Sequence, residues 1–381
     1  MRWGRSLRSV ATQFGVSRGA AAYWVARARG KRLDRVGFAN RKPGRAFNRI
    51  PARLEQRILS TRVALRDKSV LGEYGPDAIG LALRQANTLG SLPARATIHR
   101  VLARHGALDG VHRQRRPAPP KGWYLPDLAA GQVELDSFDF IEDLKIAGGP
   151  LVDVLTATSL HGALAEAWVM ERSSARAALQ ALLEHWRREG LPTYAQFDNG
   201  TIFHGTHRFA DTVGRISRLC LALGVVPVFA PPREPGLQNA IEGFNALWQS
   251  KVWQRHRCPD VATLEVVSAR YIVAYRAKTA ARRESAPKRR SVPKGFKLNL
   301  STPLNGAMIF VRRSDDNGSV KLLGRSFPVD RHWLHRLVRC QVDFTHQRIR
   351  FYALRRRDPA RQPLLREIAY PRPKKAFQDQ S

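Results

Sequence analysis

Residues 131–255 alternate between strand-like and helix-like segments, and this alternation constrains the fold more than any other feature. Three strand-like runs come first, at Gln132–Phe140, Pro150–Ser159 and Leu164–Glu171. A helix, a strand, a helix, a short strand and a final helix are predicted to follow in that order. Strands followed by alternating helices and strands are typical of a mixed α/β layer fold. The proline-rich, basic segment 112–123 is predicted to be extended and to bound this domain on its N-terminal side.

Segments on both sides of this domain predict further helical regions. Residues 1–30 contain two short helices around a turn at Gly15, as in a helix-turn-helix. A small helical scaffold with no DNA role would have a similar pattern. Residues 50–110 predict three helices with a basic last one, either a second helix-turn-helix unit or a packing element. Residues 256–285 predict a basic helix, and the basic segment 286–296 predicts a linker.

The C-terminal residues 300–372 contain short strand-like runs separated by turns, which predicts a small β-barrel. Asn317-Gly318 lies between two alternating runs and indicates a hairpin turn at that point. No run of about 18 apolar residues is long enough for a membrane helix. The first residues lack the apolar core of a signal peptide, which favours a cytosolic or nuclear protein with no membrane partner.

The charge of the chain indicates the kind of partner it has. It carries 65 Lys and Arg against 31 Asp and Glu, a formal charge of +34. DNA and RNA attract such a chain because Lys and Arg release counterions that are condensed on the phosphates. The three cysteines, Cys220, Cys258 and Cys340, form no CxxC pair and no cluster with zinc spacing, so reduced thiols are expected.

Three carboxylates stand out against this positive background. Asp136 lies in VELDSFDF, Asp198 ends the strand-like YAQFDNG, and Glu242 lies in the helix-like LQNAIEGFN. Acidic groups have little reason to gather in such a cationic chain unless they hold a cation. Mg²⁺ prefers oxygen ligands, and two such ions can clamp both oxygens of a phosphoryl displacement. Neighbouring strands lie about 5 Å apart, so two Asp on adjacent strands can share ions while Glu242 packs across the edge.

Two of these assignments have alternatives in the sequence itself. Asp139 competes with Asp136 for the strand position, but it lies three residues on and is expected to point to the other face. Asp198 could belong to an ordinary Asp-Asn-Gly turn, although a helix rather than a partner strand follows it.

The segments LDSFDF, QFDNGTIF and PGLQNAIEGFN, in this order, resemble the three catalytic blocks of the DDE integrase/transposase superfamily. Within it they are most similar to bacterial insertion-sequence transposases with an integrase core. The resemblance covers residues 125–255 and implies an α/β catalytic core with a ribonuclease-H-like fold. The all-α helix-turn-helix region before it and the small β-barrel after it resemble flanking domains of the same proteins more loosely.

The resemblance implies that Asp136, Asp198 and Glu242 are catalytic and ligate two Mg²⁺ ions, with Mn²⁺ able to substitute. The implied activity is that of a DNA transposase of a mobile element, acting as a homo-oligomer on DNA in the bacterial cytoplasm, at the nucleoid. It would hydrolyse a phosphodiester at a transposon end and join the freed 3′-hydroxyl to target DNA. A nuclease without strand transfer, or a DNA-binding protein with an inactive core, are the alternative functions.

The resemblance also bears on which acids belong to the site. Leu135 before Asp136 fits the first block, so Asp136 is preferred to Asp139. Glu234 lies at the interval after Asp198 that is typical of retroviral-type members. Glu242 is preferred because the third block has its acid inside the helix, although Gly243 replaces the larger residue usual after that acid.

Several residues around the acids and in the helical regions are expected to contact DNA. They are Arg18, Tyr23, Arg27, Thr97, Arg100, Lys251 and Arg255. Asn239 and Asn245 lie three residues before and three residues after Glu242, close to the same helix face. Both are candidates for supporting the site, and Asn245 would orient DNA or a water there, but ordinary helix polarity explains them equally well.

Overall fold

The structure of the protein is a computed structural model. It describes residues 4–37, 50–86, 92–109, 121–147, 149, 151–205, 210–231, 234, 236–356 and 358–371. The chain divides into two compact units, Met1–Ile58 and Leu59–Ser381.

The first unit contains two short helices, α1 (Leu7–Gln13) and α2 (Arg18–Ala28), and a 3₁₀ turn at Leu33–Arg35. The hydroxyls of Ser6 and Ser17 cap the two helices by accepting hydrogen bonds from the backbone N–H groups of their first turns. Gly15 joins them with a φ of 63°, a conformation that glycine adopts at little cost. The predicted pair of helices is therefore present, and its DNA-binding role stays a prediction.

The remaining elements follow in chain order. The helices are α3 (Ala52–Lys68), α4 (Pro76–Gln85), α5 (Arg95–Arg104), α6 (Pro126–Ala129), α7 (Ala175–Glu189), α8 (Thr201–His204), α9 (Arg215–Ala222), α10 (Asn239–Trp248), α11 (Val261–Lys278) and α12 (Ala280–Glu284). A π-helical turn, Gln249–Trp253, continues α10. The strands are β1 (Leu135–Lys145), β2 (Leu151–Ser159), β3 (Ala165–Met170), β4 (Tyr194–Phe197), β5 (Val226–Phe229), β6 (Ala307–Arg313), β7 (Ser319–Leu322), β8 (Arg325–Pro328), β9 (Leu337–Asp343), β10 (Arg348–Ala353) and β11 (Leu364–Ala369). Among the described residues, no helix is both long and apolar enough to cross a membrane.

Nine strands form one mixed sheet in the order β11-β10-β9-β6-β5-β4-β1-β2-β3. Strands β1, β2 and β3 are antiparallel neighbours, whereas β4 and β5 run parallel to β1 because α7 and α9 return the chain to the same end of the sheet. The predicted succession of strands and helices between 131 and 255 is confirmed, with α8 and α9 after β4. This mixed sheet is the arrangement that the ribonuclease-H-like resemblance implies.

Strand β1 continues five residues beyond its predicted end at Phe140. A β-bulge interrupts its pairing with β2 between Ile141 and Leu144, where Asp143 has a φ of 56°. The N–H of Asp143 donates a hydrogen bond of 3.0 Å to the Asp153 carboxylate, which fixes the bulge. The apolar residues on either side of the bulge are buried, so the strand extends beneath α10.

The C-terminal strands do not form the separate small β-barrel predicted for 300–372. Instead, β6 pairs in parallel with β5, placing Val228 opposite Ile309 and Phe229 opposite Phe310, and β9, β10 and β11 continue the same sheet. The middle of β6 is buried, so it covers the edge of β5 that would otherwise expose unpaired backbone groups. This region is thus an extension of the central sheet in the described residues.

Two smaller expectations in the C-terminal half also differ from the structure. A turn forms at Asn317-Gly318, where the N–H of Gly318 donates to the Asp315 carbonyl at 3.0 Å, but the strands on either side of it, β6 and β7, belong to different sheets. The hairpin is formed by β7 and β8 and turns at Leu323-Gly324, where both residues have positive φ. The predicted linker 286–296 lies against the core as an extended strap. Within it, Arg290 exchanges two backbone hydrogen bonds with Leu191, of 2.6 and 3.1 Å.

Candidate active site

The pairing of β1 with β4 determines which acids meet. The two strands are parallel, with Asp136 opposite Ala195 and Ser137 opposite Gln196. Continuing this register by two residues places Asp139 level with Asp198, directly after the end of β4. Paired residues of a parallel sheet share a face, and neighbouring strands are about 5 Å apart. Asp139 and Asp198 therefore lie side by side at the sheet edge where β4 ends.

The pKa of Asp139 reflects that proximity, and burial raises the pKa of both carboxyl groups. Burial, the neighbouring Asp198 and, to a lesser extent, Glu242 raise the pKa of Asp139 to about 7. Burial raises the pKa of Asp198 as well, although a hydrogen bond from the backbone N–H of Gly200 (2.8 Å) partly offsets it. Both groups are thus held where their negative charge is costly unless a cation compensates it.

A hydrogen-bonded chain from β2 and α10 holds Asp139 in place. The amide nitrogen of Asn245 donates to the Asp139 carboxylate at 2.8 Å, and its amide oxygen accepts from the Thr156 hydroxyl at 2.6 Å. Thr156 also contacts the backbone carbonyl of Asp139, at 3.0 Å. Asn245 and Thr156 are buried, so this contact fixes the orientation of the carboxylate. Asn245 therefore contacts the Asp139 carboxylate from α10, and the role predicted for it, orienting DNA or a water, stays a prediction.

The two candidates for the third acid have different surroundings. Glu242 lies in the first turn of α10, is exposed, and is close enough to Asp139 to raise its pKa. Glu234 instead forms an ion pair of 2.5 Å with Arg313. The geometry favours Glu242 as the partner of Asp139 and Asp198.

These three carboxylates share one property in a chain of strongly positive charge. Among the described residues, none of Asp139, Asp198 and Glu242 forms a salt bridge with Lys, Arg or His, although Arg side chains pair with many other acids of the fold. Within the same residues, no group of three or more Asp, Glu, His or Cys side chains is arranged to hold a metal ion. Asp139 and Asp198 lie at one edge of the sheet, and the exposed Glu242 on α10 is near enough to raise the pKa of Asp139.

Asp136 does not lie with these acids, so that part of the sequence prediction is wrong. Its side chain is 1% exposed, and both of its oxygens accept hydrogen bonds from the guanidinium of Arg289, at 3.0 and 2.5 Å. The indole N–H of Trp186 donates to the same carboxylate at 3.2 Å. Side chains alternate along a strand, so residues three apart occupy opposite faces, and it is Asp139 that shares the face of Asp198.

His185 completes the surroundings of Asp136. Its ring lies 3.9 Å from the Asp136 carboxylate, and burial lowers the pKa of His185 to about 4. The imidazole is therefore neutral near pH 7, and Arg289 supplies the positive charge that balances Asp136. Arg289 belongs to the strap 286–296, so a segment predicted to be a linker provides the partner of a buried acid.

A signal for Asp139 was present in the sequence. The dipeptide Phe-Asp occurs twice, as Phe138-Asp139 and as Phe197-Asp198. The two phenylalanine rings are fully buried and stacked, with centroids 5.7 Å apart. Aligning the two dipeptides on adjacent strands gives the observed register, whereas the choice of Asp136 depended on its preceding leucine alone.

Two residues predicted to contact DNA make hydrogen bonds within the protein, and their contact with DNA stays a prediction. The guanidinium of Arg255 donates to backbone carbonyls at the C-terminal end of α3, including Ser69 at 2.6 Å, and the ammonium of Lys251 donates to the Gly72 carbonyl at 3.2 Å. Positive side chains at a helix C-terminus satisfy unpaired carbonyls. Lys251 and Arg255 therefore attach the π-helical turn to the segment that follows α3.

The other residues predicted to contact DNA or support the site lie on helices, and their side chains differ in exposure. Arg18 and Arg100 are exposed, Thr97 is half-buried, and Arg27 stacks over the ring of Tyr23 at 5.9 Å. Asn239 is exposed at the start of α10, and in the part of the chain that the structure describes it makes no hydrogen bond to an acid. The roles of these residues stay predictions.

Sequence reasoning missed Arg312, a residue beside the second acid. Arg312 lies on β6, and its guanidinium donates to the side-chain oxygen of Asn199 at 2.7 Å. Asn199 directly follows Asp198, so a C-terminal strand contacts the loop that carries a candidate metal ligand. No signal in the sequence links these residues, because their contact depends on the pairing of β6 with β5.

Comparison with known proteins gives distant structural similarity. No protein-family model matches the chain, and no curated protein matches it in sequence. The catalytic core domain of BIV integrase is similar with a TM-score of 0.27 and 20% identity, over 37% of this chain and 81% of that one. A chain of the simian T-cell lymphotropic virus intasome in complex with PP2A regulatory subunit B56 gamma is similar with a TM-score of 0.34 and 13% identity, over 70% of this chain and 84% of that one. The HTLV-2 integrase catalytic core domain in complex with magnesium, in its dimeric form, is similar with a TM-score of 0.28 and 11% identity, over 42% of this chain and 87% of that one. At these values the similarity does not establish a function, so the site is interpreted from its own residues.

Proposed function

We propose that this protein is a metal-dependent DNA transposase, which cleaves phosphodiesters at transposon ends and joins the 3′-hydroxyl to target DNA. The observation that carries the proposal is the set of carboxylates Asp139, Asp198 and Glu242, which have no basic partner among the described residues. A chain with a formal charge of +34 could easily have supplied one. An unneutralised acidic centre in a basic protein suits a divalent cation and a polyanionic substrate.

The donor set fits Mg²⁺, with Mn²⁺ as a substitute. Asp139, Asp198 and Glu242 offer only carboxylate oxygens, the ligands that hard cations prefer, and a bound cation would offset the burial and repulsion that raise the pKa of Asp139. A bound pair of such ions would polarise the phosphoryl oxygen and stabilise both the attacking and the leaving oxygen. Asp136 is not part of this proposal because Arg289 already neutralises it.

The chain's own residues prepare this chemistry. Asn245 and the Gly200 N–H orient Asp139 and Asp198, so that little reorganisation is needed when a cation and DNA bind. Exposed Lys and Arg side chains attract the phosphate backbone and hold the strand near the acids. Assembly as a homo-oligomer on DNA and a location at the bacterial nucleoid stay predictions from the sequence resemblance.

The test is cleavage of labelled duplexes that carry the sequences flanking the gene, with Mg²⁺ or Mn²⁺ and a supercoiled plasmid as target. We expect the wild-type protein to cut and join, and Asp139→Asn, Asp198→Asn and Glu242→Gln each to lower the rate at least 1,000-fold, on the order expected for loss of a metal ligand. DNA binding by the three variants, measured by fluorescence anisotropy in EDTA, should remain within about twofold of wild type.

Two matched variants separate this site from the alternatives in the sequence. Asp136→Asn and Glu234→Gln remove the same charge from neighbouring acids, and their activity, corrected for the folded fraction, should stay within about tenfold of wild type. A dead Asp136→Asn beside an active Asp139→Asn would overturn the assignment of the site. Cleavage without joining would identify a nuclease, and DNA binding with no metal-dependent cleavage would identify a binding protein with an inactive core.

A further inference from the structure

The guanidinium of Arg312 connects several elements beside the second acid. It donates to the Asn199 side chain (2.7 Å) and to the backbone carbonyls of Ala230 (3.3 Å), Val311 (2.8 Å) and Lys321 (3.2 Å). These acceptors belong to the loop after β4, the end of β5, β6 itself and β7. One side chain from a C-terminal strand thus holds together the segments that surround Asp198.

All of these acceptors are neutral. No salt bridge to Arg312 occurs among the described residues, and burial lowers its pKa to about 10, so it still carries its charge at pH 7. The guanidinium is half-buried and lies over the ring of Phe310, 5.0 Å from its centroid. A planar guanidinium is the side chain that can donate to several acceptors in a fixed geometry. The relative positions of these four acceptors therefore depend on the Arg312 side chain.

The contacts of Asn199 carry the effect to Asp198. The Asn199 amide donates to the carbonyl of Ala230 while its oxygen accepts from Arg312. The N–H of Ala230 in turn donates to the Phe197 carbonyl at 3.1 Å. Phe197 and Asn199 flank Asp198, so both its neighbours are fixed to the end of β5, and the loop cannot turn without breaking the Arg312 contact.

We propose that Arg312 is a positioning residue of the active site, which fixes the Asn199 loop so that the Asp198 carboxylate faces Asp139. This inference rests on the proposed function, since it assigns a role toward the divalent cation that Asp198 would bind. It also assigns a role to the C-terminal strands: they complete the site from the far side of β5 and do not act only as a separate DNA-binding module.

A purely structural role would have a different signature. If Arg312 only satisfies the carbonyls of β5 and β7, its loss lowers stability and leaves the affinity of the folded protein for a cation unchanged. If it positions Asp198, cation affinity falls even where stability is preserved. Arg339 on β9 provides the matched control: it is also a half-buried arginine, it stacks on Tyr352 at 4.1 Å, and it donates to neutral glutamine side chains.

The experiment measures Mn²⁺ binding to the full-length protein without DNA, by electron paramagnetic resonance of free Mn²⁺, together with thermal unfolding. Arg312→Met should raise the Mn²⁺ dissociation constant about tenfold, the usual effect of losing a group that orients a metal ligand. Arg312→Lys should show an intermediate effect, because an ammonium cannot reach Asn199 and the carbonyls in the same geometry. Arg339→Met should lower the unfolding temperature and leave Mn²⁺ affinity within about twofold of wild type.

Asn199→Ala supplies a second route to the same answer if Arg312→Met fails to fold. It should weaken Mn²⁺ binding to a similar extent. Combining it with Arg312→Met should weaken binding by no more than about a further twofold, because both variants break the same hydrogen bond between Arg312 and Asn199. In the cleavage assay, Arg312→Met and Asn199→Ala should each lower kcat and leave the KM for DNA unchanged. Unaltered Mn²⁺ affinity in both Arg312→Met and Asn199→Ala would overturn the inference. If Asp139→Asn also left Mn²⁺ binding intact, the proposed function itself would fail.

Discussion

The two faces of strand β1 present the same side chain in opposite surroundings. On one face Asp136 is enclosed, and Arg289 neutralises its charge through two hydrogen bonds. On the other face Asp139 has no basic partner among the described residues, and it lies beside two further acids. The two aspartates are only three positions apart in the sequence.

This difference separates a structural carboxylate from one suited to ligate a cation. A buried acid that is fully paired inside the protein has no remaining need for a cation, and its removal affects mainly folding. When the neighbours of an acid are also acids, their mutual repulsion destabilises the metal-free site, and a bound divalent cation removes this repulsion. Charge balance therefore distinguishes the roles of the two residues better than their position in a sequence motif does.

The largest effect is expected on the Asp136 face. Arg289→Met leaves a buried carboxylate without its partner, so it should lower the free energy of unfolding by about 3–5 kcal/mol in urea denaturation. Adding Asp136→Leu to this variant should recover most of the loss, because the charge that was left unpaired is gone. A loss below about 1 kcal/mol for Arg289→Met would contradict the view that Asp136 is a structural acid.

On the Asp139 face we expect an effect that depends on metal. Mg²⁺ at about one hundred times its dissociation constant should stabilise the wild-type protein by about 2.7 kcal/mol, provided that it binds only the folded state. Asp139→Asn should lose this increment in thermal unfolding with and without EDTA. Asp136→Asn should keep the increment even if its baseline stability is lower, and equal loss in both variants would remove the distinction between the two faces.

The contrast between the faces also shows what could be predicted from the sequence. The order of strands and helices between 131 and 255 followed from hydrophobic patterns and turn residues, because these local signals determine element type. Asp198 and Glu242 were chosen because their segments resemble the integrase blocks; they lie directly after β4 and in the first turn of α10, and their role as metal ligands stays a proposal.

What the sequence did not reveal depends on pairing between distant segments. The choice between Asp136 and Asp139 required the register of β1 against β4, and the role of β6 required its pairing with β5. Arg289 and Arg312 lie more than a hundred residues after their partners Asp136 and Asn199. Local patterns contain no information on such contacts, so a basic strap was predicted as a linker and an extension of the sheet as a barrel.

A smaller effect is expected from the group that holds Asp139. Asn245→Ala removes the amide between Asp139 and Thr156, so the carboxylate can turn away from Asp198. We expect the Mg²⁺ concentration for half-maximal cleavage to rise about tenfold, equivalent to about 1.4 kcal/mol. Asn239→Ala, on the same helix, is the control and should change it by less than about twofold. Equal responses of the two variants would count against an orienting role for Asn245.

The smallest expected effect tests a third aspartate, Asp153, which shares the face of Asp136 and has backbone partners in place of an arginine. Burial raises the pKa of this carboxyl, but hydrogen bonds from the N–H groups of Asp143 and Ser173 outweigh it and lower the pKa below its ordinary value of 3.8. A lowered pKa contributes stability above the unfolded-state pKa, and that contribution is lost as the pH falls through the folded-state value.

Asp153→Asn should therefore cost about 1 kcal/mol of unfolding free energy at pH 7. In urea denaturation the difference from wild type should shrink as the pH falls below about 4, where Asp153 becomes neutral. A difference that is constant from about pH 7 to about pH 3 would mean that the charge of Asp153 does not hold the bulge of β1.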